Sequence, residues 1–278
     1  MSPGEESREA AGGAATATRS PLLQMRGIKK DFLGVHVLHG IDLECAAGEV
    51  HAIVGENGAG KSTLMKILAG VYTPSAGEII IDGTPQKFNH PLEAQQAGVS
   101  IIYQEFNLLP DRTVAENVFL GREPKKGFIV DRAKMERDTA KLLHEFAPDD
   151  PIAPDELVGR LSVAQQQTVE IAKALSLDSK ILVMDEPTAS LAAHEVERLF
   201  DRVKRLRERG MAILYISHRL KEIFELAQRI TVLKDGNKVK TVNADEVTSA
   251  ELVKLMVGRE LDQYFPPRGD PSKRGDVK

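Results

Sequence analysis

The chain of 278 residues has no tryptophan, a single cysteine and an aromatic share of only 5%. One cysteine, Cys45, excludes an internal disulfide framework, and a chain this long needs none to hold a core. That usage suggests a reducing compartment, with Cys45 as a small core residue. No apolar run approaches the length of a membrane-spanning helix. The N-terminus, MSPGEESREAAGGAATATRS, lacks the basic start and apolar centre of a signal peptide. Residues 1–20 therefore read as a disordered tail, and the apolar-poor residues 263–278 as a linker or second tail. A net charge of −4 provides no global basic surface, so nucleic acid is not an expected partner. With 42% hydrophobic and 28% charged residues, the remainder reads as a globular unit over 21–262.

Within that unit, β-rich runs alternate with helical patterns. Strands are expected at 35–44, 49–55, 77–83, 99–104, 180–186 and 212–217, and a hairpin about Asp235-Gly236. The fully apolar runs AIVG, ILVM and AILYI predict strands buried on both faces, hence a mostly parallel α/β sheet. Hairpins near both ends predict an added antiparallel β layer. Residues 105–178 form a mainly helical block between two strands, read as an inserted helical subdomain.

The segment GENGAGKST, residues 55–63, follows a strand and opens a helix. It fits the phosphate-loop pattern G-x-x-x-x-G-K-[ST] in the context that pattern requires. Gly55, Gly58 and Gly60 let the backbone turn its N–H groups onto phosphate oxygens. The helix N-terminus adds partial positive charge. Lys61 can reach the outer phosphates, the Ser62 hydroxyl can bind Mg²⁺, and Thr63 lies beside them.

A second apolar strand ends in paired acids, Asp185 and Glu186. Asp185 is placed to hold Mg²⁺ through water, and Glu186 to orient or deprotonate an attacking water. A parallel sheet would bring His218 and Gln104, at the ends of two further strands, to the same edge, where ligands of such sheets bind. The segment LSVAQQQTVEIAKALS, 161–176, reads as a helix with a capping box from Ser162 to Gln165. A capped N-terminus is also an anion site, and Ala164 narrows the conformations open to that backbone.

Together these motifs resemble the ATP-binding cassette (ABC) transporter ATPases, with the likeness running over 22–260. GENGAGKST matches Walker A, Gln104 the Q-loop, LSVAQ the signature, ILVMDE Walker B, ASLAA the D-loop and His218 the switch histidine. Longer stretches such as IYQEFNLLP and YISHRLKEIFELAQRITVLKDG resemble the first of two tandem cassettes in monosaccharide importers. The resemblance implies the P-loop ABC ATPase fold, binding and hydrolysis of ATP with Mg²⁺, and a head-to-tail pair with a second ABC cassette. It further implies membrane permease subunits, a periplasmic sugar-binding protein acting indirectly, and a peripheral place on the cytoplasmic face of the inner membrane. Other ABC classes, in DNA repair or translation, and a nucleoside or amino acid as cargo are the alternatives.

Carried onto this chain, the resemblance puts the adenine-stacking aromatic at Phe32. It gives the loop residues Gly55, Glu56, Asn57, Gly58, Ala59, Gly60, Lys61, Ser62 and Thr63 to the phosphates. It sets Ser62, Gln104 and Asp185 around Mg²⁺. Lys61, Gln104, Glu186 and His218 become catalytic. Ser162, Ala164 and Gln165 face the nucleotide held by the partner cassette. Two positions depart from the family pattern: Ala164 replaces a signature glycine, and Ala192 stands where many cassettes have aspartate.

Overall fold

The computed structural model describes residues 21–257; both expected tails, and the last residues of the unit expected over 21–262, lie outside the described residues. The chain begins with two long strands, β1 (Pro21–Phe32) and β2 (Val35–Ala46), then β3 (Val50–Val54) and α1 (Lys61–Leu68). Next come β4 (Ala76–Ile81), β5 (Thr84–Gln86), α2 (Pro91–Gln96) and β6 (Val99–Ile102). The middle of the chain holds α3 (Val114–Val118), β7 (Lys125–Lys126), β8 (Ile129–Val130), α4 (Arg132–Phe146) and α5 (Val163–Leu175). The last part runs through β9 (Ile181–Asp185), α6 (Ala193–Glu208), β10 (Ala212–Ile216), α7 (Leu220–Leu226), β11 (Arg229–Lys234), β12 (Asn237–Asn243) and α8 (Ser249–Val257).

The central sheet has the order β12-β11-β3-β10-β9-β6, and only β12 runs antiparallel to its neighbour. All five residues of β3 and of β10 are buried, as a strand covered on both faces must be. A separate antiparallel sheet, β2-β1-β4-β5, supplies the added layer. One apolar core lies between the two sheets around α1, and includes Leu38, Ile41, Leu64, Ile67 and Ile216. A second packs α3, α4, α5 and α6 onto the other face of the central sheet through Phe146, Val169, Leu182, Val203 and Tyr215.

The elements differ from the sequence expectation in three places. Residues 21–32 form β1, pairing with both β2 and β4. Its alternation is interrupted by register shifts, as between Met25 and Ile28, which hides the period of two. The hairpin at Asp235-Gly236 extends the central sheet and not the antiparallel one. Within the block 105–178 the helices α3, α4 and α5 are separated by non-helical stretches at 105–113, 119–131 and 147–162, which hold the β7–β8 hairpin and a short 3-10 turn at Val158–Arg160.

Candidate functional site

Parallel pairing in register carries the ends of β3, β9 and β10 to one edge. Gly55 follows β3 directly, Asp185 closes β9, and Ser217-His218 follow β10. The loop 55–60 is wound by three positive φ values at Gly55, Gly58 and Gly60. A Cβ at Gly55 would overlap the Leu233 carbonyl oxygen, and one at Gly60 would lie 2.6 Å from Leu38. Only glycine permits both the dihedral and the approach. Glu56, Asn57, Gly58 and Ser62 are exposed, Ala59 is buried, and Thr63 is half-buried. The cradle is thus an open surface; a cavity of about 830 Å³ between β12 and α8 contains none of the motif residues.

Lys61 folds its ammonium back into this loop, donating to the Gly55 carbonyl at 2.7 Å and the Glu56 carbonyl at 3.0 Å. Burial pushes its pKa down, against the opposing pull of Glu186 and Asp185. Asp185 is pushed up by burial and by the neighbouring Glu186, with Lys61 and Lys66 acting the other way. A carboxylate destabilised in this manner gains from a nearby cation. The Asp185 carboxylate and the Ser62 hydroxyl, at the start of α1, are oxygen donors of the hard kind that suits Mg²⁺.

Glu186 has φ +47, a left-handed conformation unusual for a residue with a side chain. Its N–H donates to the Ile216 carbonyl at 2.9 Å, which fixes it beside β10. His218 Nδ1 lies 3.1 Å from Glu186 Oε1. The structure therefore brings Lys61, Asp185, Glu186 and His218 together, as the sheet topology predicts.

Gln104 is less closely placed. It stands exposed in the bend after β6, two residues past the strand's end, and no side-chain hydrogen bond holds it among the described residues. The half-buried Tyr103 feels the Asp185 charge instead; burial and then Asp185 push its phenol upward. Phe32 closes β1, half-buried, with its ring edge-on to Tyr72 at 5.1 Å and Lys30 Nζ 4.8 Å from its centroid. Tyr72 follows α1, so this aromatic pair is tethered to the phosphate-loop helix.

Ser162, Ala164 and Gln165 lie at the start of α5. The capping box is present: Ser162 Oγ accepts from the Gln165 N–H, and Gln165 Oε1 accepts from the Ser162 N–H, each at 3.2 Å. Gln165 Nε2 reaches Asp150 Oδ1 at 3.4 Å. This end of α5 thus answers to its own turn and to Asp150, and its exposed Ser162 and Val163 present an open face. Ala192 is the N-cap of α6 without a side-chain oxygen; Glu195 accepts its N–H at 2.8 Å, so half of a capping box remains.

Sequence reasoning missed several residues that hold this edge together: Tyr72, Tyr103, Gln167, Thr188 and Glu222. Gln167 Nε2 donates to the Pro187 carbonyl at 2.7 Å, linking α5 to the residue after Glu186. Its position among three consecutive glutamines gave no reason to single it out. Glu222 sits in the first turn of α7, where an acid reads as no more than a charge favourable to a helix N-terminus.

Comparisons with known proteins agree with this geometry. Residues 38–189 match the ABC transporter family. A ribose import ATP-binding protein of Rubrobacter xylanophilus is 51% identical over 248 residues, 89% of this chain and 49% of the relative. A putative ribose/galactose/methyl galactoside import ATP-binding protein of Burkholderia ambifaria is 51% identical over 251 residues, 90% of this chain and 48% of the relative. The chain spans about half the length of the curated relatives it matches. Among solved structures, an ATP-binding cassette of an ABC transporter in its ADP conformation superposes with a TM-score of 0.74 at 26% identity, covering 86% of this chain and 100% of that one. A dimeric post-hydrolysis cassette bound to ADP and Pi gives 0.67 at 26% identity, covering 80% and 98%. With the family model spanning more than half of its residues and a whole solved cassette laid over its fold, this chain belongs to the ABC transporter family.

Proposed function

We propose that the chain binds and hydrolyses ATP as one cassette of an importer, and that the cargo is a monosaccharide. The contact between Glu186 and His218 beside the phosphate loop carries this reading. The loop amides and Lys61 bind the phosphates; to do so, Lys61 exchanges its two carbonyl partners for phosphate oxygens. Ser62, Asp185 and Gln104 would hold Mg²⁺, which would supply positive charge against the phosphates. Glu186 takes a proton from the attacking water. His218 steadies Glu186 and the transferring phosphate. Phe32 receives the adenine, with Tyr72 as its edge-on support. The catalysis is positioning and charge stabilisation.

The open cradle and the outward-facing start of α5 support a shared site. Ser162, Ala164 and Gln165 would face the nucleotide of a second cassette, in head-to-tail pairing. Residues 21–262 form the cassette in this reading, with 105–178 as its inserted helical part. Closure on ATP would drive membrane permease subunits, with the protein peripheral to the inner membrane's cytoplasmic face and a periplasmic sugar-binding protein delivering cargo. The sugar assignment is supported by the ribose and ribose/galactose/methyl galactoside import ATP-binding proteins that are about half identical to this chain.

The test uses the full chain with a fluorescent ATP analogue and Mg²⁺, then the chain joined to its second cassette and permease in vesicles. Saturable binding lost in Lys61→Ala, and sugar uptake dependent on ATP, are expected. Binding indifferent to Lys61→Ala would overturn the nucleotide site. Uptake of a nucleoside or amino acid, with none of any monosaccharide, would overturn the cargo.

A further inference from the structure

Glu222 is a buried carboxylate on α7, only 5% exposed. Its donors come from both loops of the hydrolytic edge. Thr188 Oγ1, two residues past Glu186, donates to Oε1 at 2.7 Å. Ser217 Oγ, the residue before His218, donates to Oε2 at 2.9 Å, and Tyr215 Oη donates to the same oxygen at 3.0 Å. Arg219, the residue after His218, brings Nη1 to 3.5 Å from Oε1, and its N–H donates to Ser217 Oγ at 3.0 Å. One carboxylate thus grips the chain on both sides of His218 and just beyond Glu186.

Burying a charge in this way is a poor route to stability. A leucine of similar volume would avoid the desolvation cost, and such replacements are often neutral or stabilising. An acid in the first turn of a helix is favourable by itself, but that benefit needs no burial and no three hydroxyls. What the carboxylate adds is a shared anchor for two loops that are otherwise joined, among the described residues, by the Glu186–His218 contact, the Glu186 N–H to Ile216 carbonyl bond and a Thr188–Tyr215 side-chain hydrogen bond. We infer that Glu222 is a positioning residue, holding the Thr188 loop and the Ser217–Arg219 loop so that Glu186 and His218 meet. This rests on the reading of Glu186 and His218 as the hydrolytic pair, while its geometric core does not need turnover to be tested.

The experiment compares the full chain with Glu222→Ala, Glu222→Gln and Thr188→Val. Circular dichroism and thermal melting establish folding. The first readout needs no nucleotide: ¹⁵N resonances of the His218 ring, assigned by their loss in His218→Ala, with buried His51 as internal control. Expected are shifted His218 resonances in Glu222→Ala and Thr188→Val, smaller shifts in Glu222→Gln, and an unchanged His51. The second readout is ATP turnover against analogue affinity. Turnover should fall by about tenfold to a hundredfold in Glu222→Ala, as misplacement of reacting groups does, while affinity changes by less than about threefold. Glu222→Gln, which keeps the shape and some of the bonds, should recover part of the rate. Unmoved His218 resonances with turnover within about twofold of the parent would overturn the inference. If Glu222→Ala does not fold, the same criteria apply to Glu222→Gln and Thr188→Val. A parent that binds no ATP refutes the hydrolytic reading alone, because the resonances still decide the positioning.

Discussion

The two ends of the central sheet both concentrate charge, yet they handle it in opposite ways. At the amino end, Glu49 accepts two bonds from Arg229, at 2.6 and 2.9 Å, and one from the Ala46 N–H at 2.7 Å. Buried His51 brings Nδ1 to 3.3 Å from the same carboxylate and its Nε2 to 2.7 Å from Thr231. Arg229 also donates to the Glu44 carbonyl at 3.1 Å, so the cluster staples β2 to β3 and β11. At the carboxyl end, Lys61 finds only backbone carbonyls, Asp185 is pushed upward, Glu186 is strained and His218 is exposed. Charges that answer one another make a clamp. Charges left partly unanswered make a site.

The sharpest way to break this contrast is to remove a working group from the carboxyl end. Glu186→Gln should cut ATP turnover by about a thousandfold, with analogue binding retained. Equal hydrolysis by mutant and parent would remove Glu186 from its role.

The next effect belongs to the amino end and should appear in stability. Glu49→Gln leaves Arg229 without its ion pair and should cost about 3 kcal/mol in denaturant unfolding, with turnover of the folded fraction unchanged. Acid should do the same reversibly. Burial pushes the Glu49 carboxyl up, but His51 and Arg229 outweigh it and hold the pKa at about 2. Because the folded value lies below the unfolded one, this stability is complete above the unfolded carboxylate range. It drains away as pH falls from about 4.5 towards 2. His51, lowered chiefly by burial, adds a loss of the same sign below its unfolded pKa, near 6.5. Unfolding midpoints measured from pH 7 to 3 should therefore fall in the parent, and in Glu49→Gln the fall below about pH 4.5 should shrink while the part due to His51 remains.

Smaller effects come from the start of α5, which belongs to neither end. Ser162→Ala removes one half of the capping box and should cost about 1 kcal/mol. The smallest is Ala164→Gly. In a pair of cassettes it should leave hydrolysis within about twofold, since the residues proposed to act in hydrolysis, Lys61, Glu186 and His218, all lie outside α5. A large gain would mean that the alanine throttles the partner's site.

Much of the carboxyl edge was legible because its chemistry is written in contiguous residues. GENGAGKST and MDE each announce themselves, and apolar runs in β3, β9 and β10 fix the sheet that brings them together. The amino-end clamp was not legible, because Glu49 and Arg229 meet across 180 residues of sequence and each alone reads as a surface charge. The same holds for Glu222, whose partner Thr188 lies 34 residues away. Register shifts concealed β1, and the outward loop after β6 carried Gln104 away from the strand's end. Local motifs survive in one dimension; polar clusters assembled by topology do not.

The left-handed backbone at Glu186 bears on the history of the chain. A non-glycine residue held there costs about 1 kcal/mol or more, and glycine would release it. Folding by itself favours losing this carboxylate, so neutral drift under a stability threshold would tend to erase it. The carboxylate held there is what the role proposed for Glu186 calls for, at a conformational cost that four other non-glycine residues, Leu33, Asp82, Asp178 and Asp235, also carry.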